Sequence, residues 1–409
     1  MQGFFSRKET ESISSPSGKP LSCIACGLYK NCDSPKMEPF GNYKKSIINI
    51  GEFPSETDDS SGKTWQGKEG RLLKRAYKKL GIDLFEDCLN LNSVNCNPGK
   101  EKNKTKTPTE HEINCCRKRV LRIIKEYQPK LIMLFGIDPV KSIIGYRWKK
   151  DLGGIFKWHG WTIPDKDFKC WICPTFHPGF VQAAETEVET VWERDLKRAL
   201  NKAEEPLPKY PKPEMEFIED LSVLNGIPNG AMVAIDYETT GLKPHAKGHR
   251  IVCAVVADSE NHCWVFMMPE KKKDRKPFID LLQNPSIAKI AQNMKFEDTW
   301  SNVRLKTDVK GWEWDTMLAT HIMDNRSFIT GLKFQTYVQF GVVDYSSEVD
   351  PYLKGKEDKN ANSLNRVEEL IRTEAGKQKL LTYCGWDGIW EYRLAMKQIN
   401  ELNYDFLPF

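Results

Sequence analysis

Four of the chain's twelve cysteines are spaced to close on one metal group. Cys23 and Cys26 form Cys-Ile-Ala-Cys, and Cys96 and Cys116 bracket a polar loop that runs from Asn97-Pro98-Gly99-Lys100 to Thr107-Pro108-Thr109. A Cys-x-x-Cys by itself most often marks zinc or redox chemistry, and four thiolates hold either a zinc ion or an iron–sulfur cluster. Cys115 adjoins Cys116, and Cys32 is a spare thiol nearby. A second set is acidic. Asp236 and Glu238 end a predicted strand two residues apart, so both carboxylates leave the same face. Glu297, with Asp298 beside it, ends Gln292-Asn293-Met294-Lys295-Phe296, and Tyr383 and Asp387 stand four apart on one helical face. Converging carboxylates repel one another unless divalent cations neutralise them. Two such cations can hold the attacking and leaving oxygens of a phosphodiester.

A third set is mixed. Glu52 follows Gly51 in Gly-Glu-Phe-Pro-Ser, Asn92 sits in Leu91-Asn92-Ser93-Val94, and His177 in Pro174-Thr175-Phe176-His177-Pro178. The elements that must position them alternate. Ser46 to Ile50 reads as a buried strand, Arg71 to Tyr77 as a helix, and Leu89 to Val94 as a strand. Cys116 to Glu126 reads as a helix, Leu131 to Phe135 and Cys170 to Cys173 as strands, and residues 184–202 as a closing helix. Such alternation predicts a parallel sheet covered by helices. Each residue of the third set then falls at the carboxyl end of a parallel strand, where ligand crevices form. Pro206-Leu207-Pro208-Lys209-Tyr210-Pro211-Lys212-Pro213 is a stiff extended spacer. Beyond it, Ala231–Asp236, Arg250–Val256 and Cys263–Phe266 read as a meander, with helices after residue 276.

Composition sets the frame. Hydrophobic residues make up 40% and charged residues 29% of 409 residues, which excludes wholesale disorder and gives each half enough chain for its own core. No run of about 18 apolar residues predicts a membrane span, and the charged, Ser-rich start lacks a signal-peptide core. Cysteines without a secretion signal point to a reducing, cytoplasmic compartment. The net charge of +5 permits nucleic-acid binding without demanding it.

Residues 20–200 resemble the iron–sulfur (family 4) uracil-DNA glycosylases. The resemblance rests on Gly51-Glu52-Phe53-Pro54-Ser55, on Gly62-Lys63-Thr64-Trp65-Gln66-Gly67, on Asn92, on His177-Pro178 and on the four cysteines. Ser55 stands where the family has a second glycine, and Trp65 where it has a stacking Phe. The resemblance implies a 4Fe–4S cluster on Cys23, Cys26, Cys96 and Cys116, with Cys116 preferred over Cys115 for its spacing from Thr107-Pro108-Thr109. Zinc on the same thiolates is the alternative. It implies a pocket for an extruded base. Trp65 would stack on the base, and the Asn92 amide would pair with the O4 and N3–H edge of uracil. A His177 hydrogen bond would stabilise the anion forming at O2. Glu52 would hold water or face the positive sugar, and Asp58 would block the methyl of thymine. Lys100, Lys102, Lys104 and Lys106 would grip phosphates.

Residues 228–400 resemble the 3'-5' exonuclease domain of family A DNA polymerases, on the strength of the Asp-x-Glu, Asn-x-x-Phe-Glu and Tyr-x-x-x-Asp stretches, supported by Trp314–Ala319 and Gly331-Leu332-Lys333. That resemblance implies two Mg²⁺ or Mn²⁺ ions on Asp236, Glu238, Glu297 and Asp387, with Tyr383 orienting the attacking water. Glu297 replaces the family's Asp, and whether it or Asp298 completes the site stays open. The expected fold is α/β: a parallel-sheet α/β/α sandwich over 21–203 and a ribonuclease-H-like mixed-sheet domain over 215–409. A flexible tail over 1–20 and a linker over 204–214 complete the division. Only 22 residues follow Asp387, too few for a polymerase domain. The expected function is uracil excision plus 3'-5' exonuclease on DNA, a pairing suited to phage replication. The alternative is an accessory subunit serving a separate DNA polymerase.

Overall fold

The computed structural model of the protein describes residues 21–101, 104–148, 150–184, 186–355 and 362–404. The expected tail 1–20 and Lys102 lie outside them. The described residues form two compact units, divided between Pro208 and Lys209, with Tyr337–Val343 grouped with the first.

The first unit is built on a five-stranded sheet of β1 (Ile47–Gly51), β2 (Cys88–Asn92), β3 (Leu131–Phe135), β4 (Ile163–Asp165) and β5 (Cys170–Thr175). The order is β2-β1-β3-β5-β4, parallel throughout except for β4, which runs against β5. Every residue of β1, β2 and β3 is buried, which explains their near-continuous apolar runs: a parallel strand is covered on both faces. Helices α1 (Glu56–Ser61), α2 (Lys68–Lys79), α3 (Glu110–Tyr127), α4 (Ile137–Ile143), α5 (Pro178–Ala183) and α6 (Thr186–Lys202) connect and cover it. Leu72, Leu73, Ala76 and Tyr77 of α2 share a core with Trp192, Leu196 and Ala199 of α6. Helix α3 starts six residues before the sequence reading placed it. Thr109 Oγ1 accepts the Glu112 N–H at 3.3 Å and Glu112 Oε2 accepts the Thr109 N–H at 2.6 Å, a reciprocal cap that fixes the helix start. Cys115 and Cys116 therefore lie inside the helix rather than at its threshold.

The second unit carries a six-stranded mixed sheet of β6 (Glu214–Phe217), β7 (Met232–Thr239), β8 (Ile251–Ser259), β9 (His262–Met267), β10 (Ala288–Ala291) and β11 (Trp312–Asp315). Its order is β11-β10-β7-β8-β9-β6. The β7-β8-β9 meander is antiparallel, and β10, β11 and β6 join in parallel. Helices α7 (Lys276–Gln283), α8 (Met294–Trp300), α9 (Thr316–Met323), α10 (Leu332–Phe340) and the long α11 (Glu374–Leu402) accompany it. Helix α11 lies tight on the sheet because Gly388 has no side chain: a Cβ there would stand 2.7 Å from Val255 of β8. That approach carries Asp387 to the end of β7. Among the described residues, no helix is long and apolar enough to cross a membrane.

Candidate active sites

In the first unit, the registers of β1, β2, β3 and β5 bring the mixed set to one sheet edge. Gly51 pairs with Asn92, and a Cβ on Gly51 would stand 2.4 Å from the Asn92 amide oxygen and 3.0 Å from the Trp65 ring. Trp65, held at φ 62°, stacks on His177 with centroids 5.7 Å apart and meets Phe135 edge-on at 5.6 Å. Its indole N–H is buried without a partner. The His177 Nδ1 accepts the Gly179 N–H at 3.1 Å, capping α5. An accepting Nδ1 leaves the proton of the neutral ring on Nε2. Burial pushes the His177 pKa down to about 4, so the ring is a neutral donor near pH 7. Glu52 Oε1 accepts the Ile137 N–H at 3.0 Å. Burial first, and then the neighbouring Asp138, raise its pKa to about 7 against those backbone hydrogen bonds. Four of the five residues expected around the base thus converge.

Asp58 stands at the start of α1 with both oxygens engaged. Its Oδ1 accepts the Gln66 N–H at 2.7 Å and its Oδ2 the Ser55 N–H at 3.1 Å, so both oxygens tie the start of α1 to the loop that carries Trp65. Sequence reasoning missed Phe135 and the Gly136-Ile137 turn, which support Trp65 and Glu52. Gly136 has φ 98°, and a Cβ there would stand 2.3 Å from the Glu52 carboxylate. Gly136→Ala is therefore expected to displace Glu52, lowering glycosylase rate at least about tenfold and destabilising the fold by roughly 1–3 kcal/mol. Single-turnover kinetics and thermal melts of the variant check it.

The thiols gather on the same unit. Cys23, Cys26, Asn95, Cys96, Cys115 and Cys116 line one cavity. Cys96 and Cys116 also pack with Leu28, Val94 and Ile113 in a small core. The Lys36 N–H points at Cys96 Sγ at 3.2 Å. The Cys115 sulfur lies 3.6 Å from His111 Nε2, which gives it a partner of its own. Burial raises the Cys116 thiol to about 12, so its thiolate needs a cation beside it. Cys32, also raised to about 12 by burial and then by Cys96, stands against Cys96. One zinc ion with bonds of about 2.3 Å would draw its sulfurs to within about 3.8 Å. Among the described residues, the carboxylate trio described next is the group whose ligand atoms all lie within 4.8 Å of one another, and no three of the sulfurs do so.

In the second unit, Asp236, Glu238 and Asp387 offer ligand atoms that all lie within 4.8 Å of one another. Burial and then the Asp387 charge raise Asp236 to about 8. Burial and then Asp236 hold Glu238 well above the carboxylate range. Carboxylates held this close fit a divalent cation, which would relieve both effects. Glu297 is 2% exposed with its Oε2 unpartnered, and burial and then Asp236 raise it too. Asp298 instead accepts the Trp312 Nε1–H at 3.1 Å. Of the two neighbours left open by the sequence, it is Glu297 that faces the cluster. Asp315 holds Glu297's helix in place: its Oδ1 accepts the Asn293 N–H at 3.1 Å and its Oδ2 the Met294 N–H at 2.9 Å.

Around Asp387 two tyrosines meet. The Tyr345 hydroxyl donates to Asp387 Oδ1 at 2.5 Å. Burial and then the Asp387 charge push the Tyr383 hydroxyl well above its ordinary value, and its ring stacks on that of Tyr345 with centroids 6.0 Å apart. Lys333 pairs with Asp350 at 2.8 Å and lies 4.7 Å from the Tyr383 ring centroid, facing Asp387 and Glu238. Tyr345 went unnoticed because it lies outside any recognisable spacing. Lys333 was visible as part of Gly331-Leu332-Lys333, without a role.

These two sites define a base-excising α/β domain followed by a carboxylate-centred nuclease domain. Residues 38–202 match the uracil DNA glycosylase superfamily, and residues 214–345 match the 3'-5' exonuclease family of the DNA polymerase A type. The type-4 uracil-DNA glycosylase of Saccharolobus solfataricus is 31% identical over 164 residues, spanning 38% of this chain and 70% of that protein. The Thermotoga maritima type-4 enzyme is 27% identical over 181 residues, spanning 43% of this chain and 87% of that protein. A solved structure of Brucella melitensis NrnC is 18% identical, covering 47% of this chain and 81% of that one, with a TM-score of 0.33. Through its first half the chain belongs to the type-4 uracil-DNA glycosylase family, and its second half carries a 3'-5' exonuclease domain.

Proposed function

We propose that the protein excises uracil from DNA with residues 21–203 and removes nucleotides from DNA 3' ends with residues 215–409. The observation that carries this reading is that each half gathers its own reactive pocket from distant parts of the sequence: Gly51 beside Asn92 and Trp65 in one, and three carboxylates within 4.8 Å in the other.

In the first pocket, Asn92 reads the edge of an everted uracil, and the neutral His177 donates Nε2–H to O2 as negative charge grows there. Glu52, when ionised, faces the sugar as positive charge develops or holds the water that attacks it. In the second, Asp236, Glu238 and Asp387 would hold divalent cations, Mg²⁺ or Mn²⁺, that activate water and steady the leaving oxygen. Tyr383 orients the attacking water, Tyr345 fixes the Asp387 carboxylate, and Lys333 contributes positive charge near the scissile phosphate.

The test is a pair of assays on the full chain. One is alkali-sensitive cleavage of a uracil oligonucleotide, and the other is cation-dependent shortening of a labelled 3' end. Activity in both is expected. A chain that binds DNA but is inert in both would instead be the accessory subunit of a separate polymerase.

For the thiol cavity, Cys23, Cys26, Cys96 and Cys116 would hold a 4Fe–4S cluster that ties the N-terminal turn to α3. The purified protein is expected to be brown, with absorbance near about 400 nm and four irons per chain by elemental analysis. Cys96→Ser is expected to lose most of the iron and to melt earlier. Stoichiometric zinc in colourless protein would overturn the cluster.

A further inference from the structure

We propose that the exonuclease site takes an extended DNA strand and holds its backbone with two groups of lysines, Lys243 and Lys247 beside the cation centre and Lys271, Lys272 and Lys273 further along the strand. The proposal rests on the exonuclease reading above and deepens it by naming the length of substrate the site favours. Strand pairing fixes where these lysines stand. Glu238 and Thr239 end β7. The next strand, β8, runs back from Ile251, which pairs with Thr239. Strand β9 turns again, and Met267 at its end pairs with Cys253 near the start of β8. The end of β7, the start of β8 and the end of β9 therefore lie on one edge of the sheet. It is the edge that carries Glu238 and, with it, the carboxylate trio. Lys243 and Lys247 are exposed in the turn from β7 to β8, and Lys271, Lys272 and Lys273 are exposed in the run that leaves β9.

An exposed lysine run is ordinarily just solvated, and two observations set this one apart. The first is that its charges are unpaired. Arg275 donates to the Pro269 and Glu270 carbonyls, Arg250 pairs with Glu368, and Lys276 pairs with Asp280. The five lysines have no such ion pair among the described residues. The second is a change of sign across the meander. At the opposite edge, the turn from β8 to β9 carries Asp258 and Glu260, with Glu214 and Glu216 beside it on β6. A phosphate backbone is drawn along the first edge and repelled from the second. The end of β9 lies two strand spacings, about 10 Å, across the sheet from the end of β7, and Lys271 stands four residues beyond Met267. A dinucleotide held at the cations stops short of that run, and a longer strand crosses it. Lysine meets phosphate as a point charge, so this grip is blind to base sequence.

The experiment is steady-state 3'-end digestion by the full-length protein with Mn²⁺, on 5'-labelled thymidine oligonucleotides from dinucleotide to dodecanucleotide. Wild type is expected to favour the dodecanucleotide over the dinucleotide in kcat/KM at least about tenfold, an advantage that shrinks as salt rises. The variant Lys271→Ser/Lys272→Ser/Lys273→Ser is expected to raise KM for the dodecanucleotide at least about tenfold with kcat within about twofold, and to flatten the slope of log KM against log salt by about 2. Its dinucleotide kinetics stay those of wild type. Lys271→Arg/Lys272→Arg/Lys273→Arg, which keeps the charge, is expected to keep the advantage. Lys306→Ser/Lys310→Ser is the control, because both lysines are exposed on the segment entering β11, whose start lies at the opposite edge. It is expected to change neither KM nor the slope. A folded triple Ser variant that keeps either the length preference or the salt slope, or a wild type that digests the dinucleotide as efficiently as the dodecanucleotide, would overturn the proposal and leave the exonuclease reading standing. No digestion of any length by wild type would overturn the exonuclease reading itself.

Discussion

Asp236→Asn is expected to reduce 3'-end digestion at least about a thousandfold, equivalent to about 4 kcal/mol of lost transition-state stabilisation, and to leave uracil excision within about twofold of wild type. Asp236 is the carboxylate that Glu238 and Asp387 close on. Its ligand oxygen falls within 4.8 Å of those of Glu238 and Asp387, and it is the second-largest cause, after burial, of the raised values at Glu238, Glu297 and Glu391. Losing it costs cation binding more than losing any peripheral ligand. The same substitution removes a carboxyl that folding must neutralise near pH 7, since burial and then Asp387 raise it to about 8. The cation-free variant should therefore melt at a higher temperature than cation-free wild type, and Mn²⁺ should raise its melting temperature less. Activity falling while cation-free stability rises is the signature of a site strained for its ligand. A variant that lost activity by misfolding would melt earlier instead. Excision measured in the same preparation supplies the internal control.

Much of this was legible in the sequence because the chemistry sits at strand ends. Buried parallel strands leave apolar runs, and their carboxyl ends are marked by the glycine or polar residue that follows. Glu52, Asn92 and His177 could therefore be placed before any coordinates. Asp236 and Glu238 were legible from a period of two, and Tyr383 and Asp387 from a period near four. The early start of α3 was also written in the chain, in Thr109-x-x-Glu112, but the cysteines drew the reading to Cys116. Other features have no local signal. That Asp58 gives both oxygens to backbone N–H groups, that Tyr345 reaches Asp387, and that Gly136 leaves room for the Glu52 carboxylate depend on segments that meet only in the folded chain. The choice between Glu297 and Asp298 is of the same kind. Adjacent residues on a helix diverge by about 100°, and only the placement of Trp312 decides which one turns outward.

Uracil excision is expected to rise with pH through a single inflection near 7, and Glu52→Gln to flatten that profile at a rate at least about a hundredfold lower. The direction follows from the two titrations. His177, driven down to about 4 by burial, stays neutral across the working range and contributes no step between pH 5 and 9. Glu52, raised to about 7 by burial and then by Asp138, holds its proton below that value and is an anion above it. Only the anion can face the developing positive charge of the sugar or hold its attacking water. Stability runs the opposite way. The folded protein keeps the Glu52 proton to a higher pH than the unfolded chain, so this group's stabilising contribution is full below about 4.5 and is lost as pH rises through about 7. Wild type should thus gain excision rate over the interval in which it loses stability, and Glu52→Gln should show neither dependence from this group. His177→Asn, which retains an acceptor for capping α5 but is too short to reach O2, is expected to lower the rate about 100- to 1000-fold with the inflection near 7 preserved. An inflection that moved with His177→Asn and persisted in Glu52→Gln would exchange the roles assigned to the two residues.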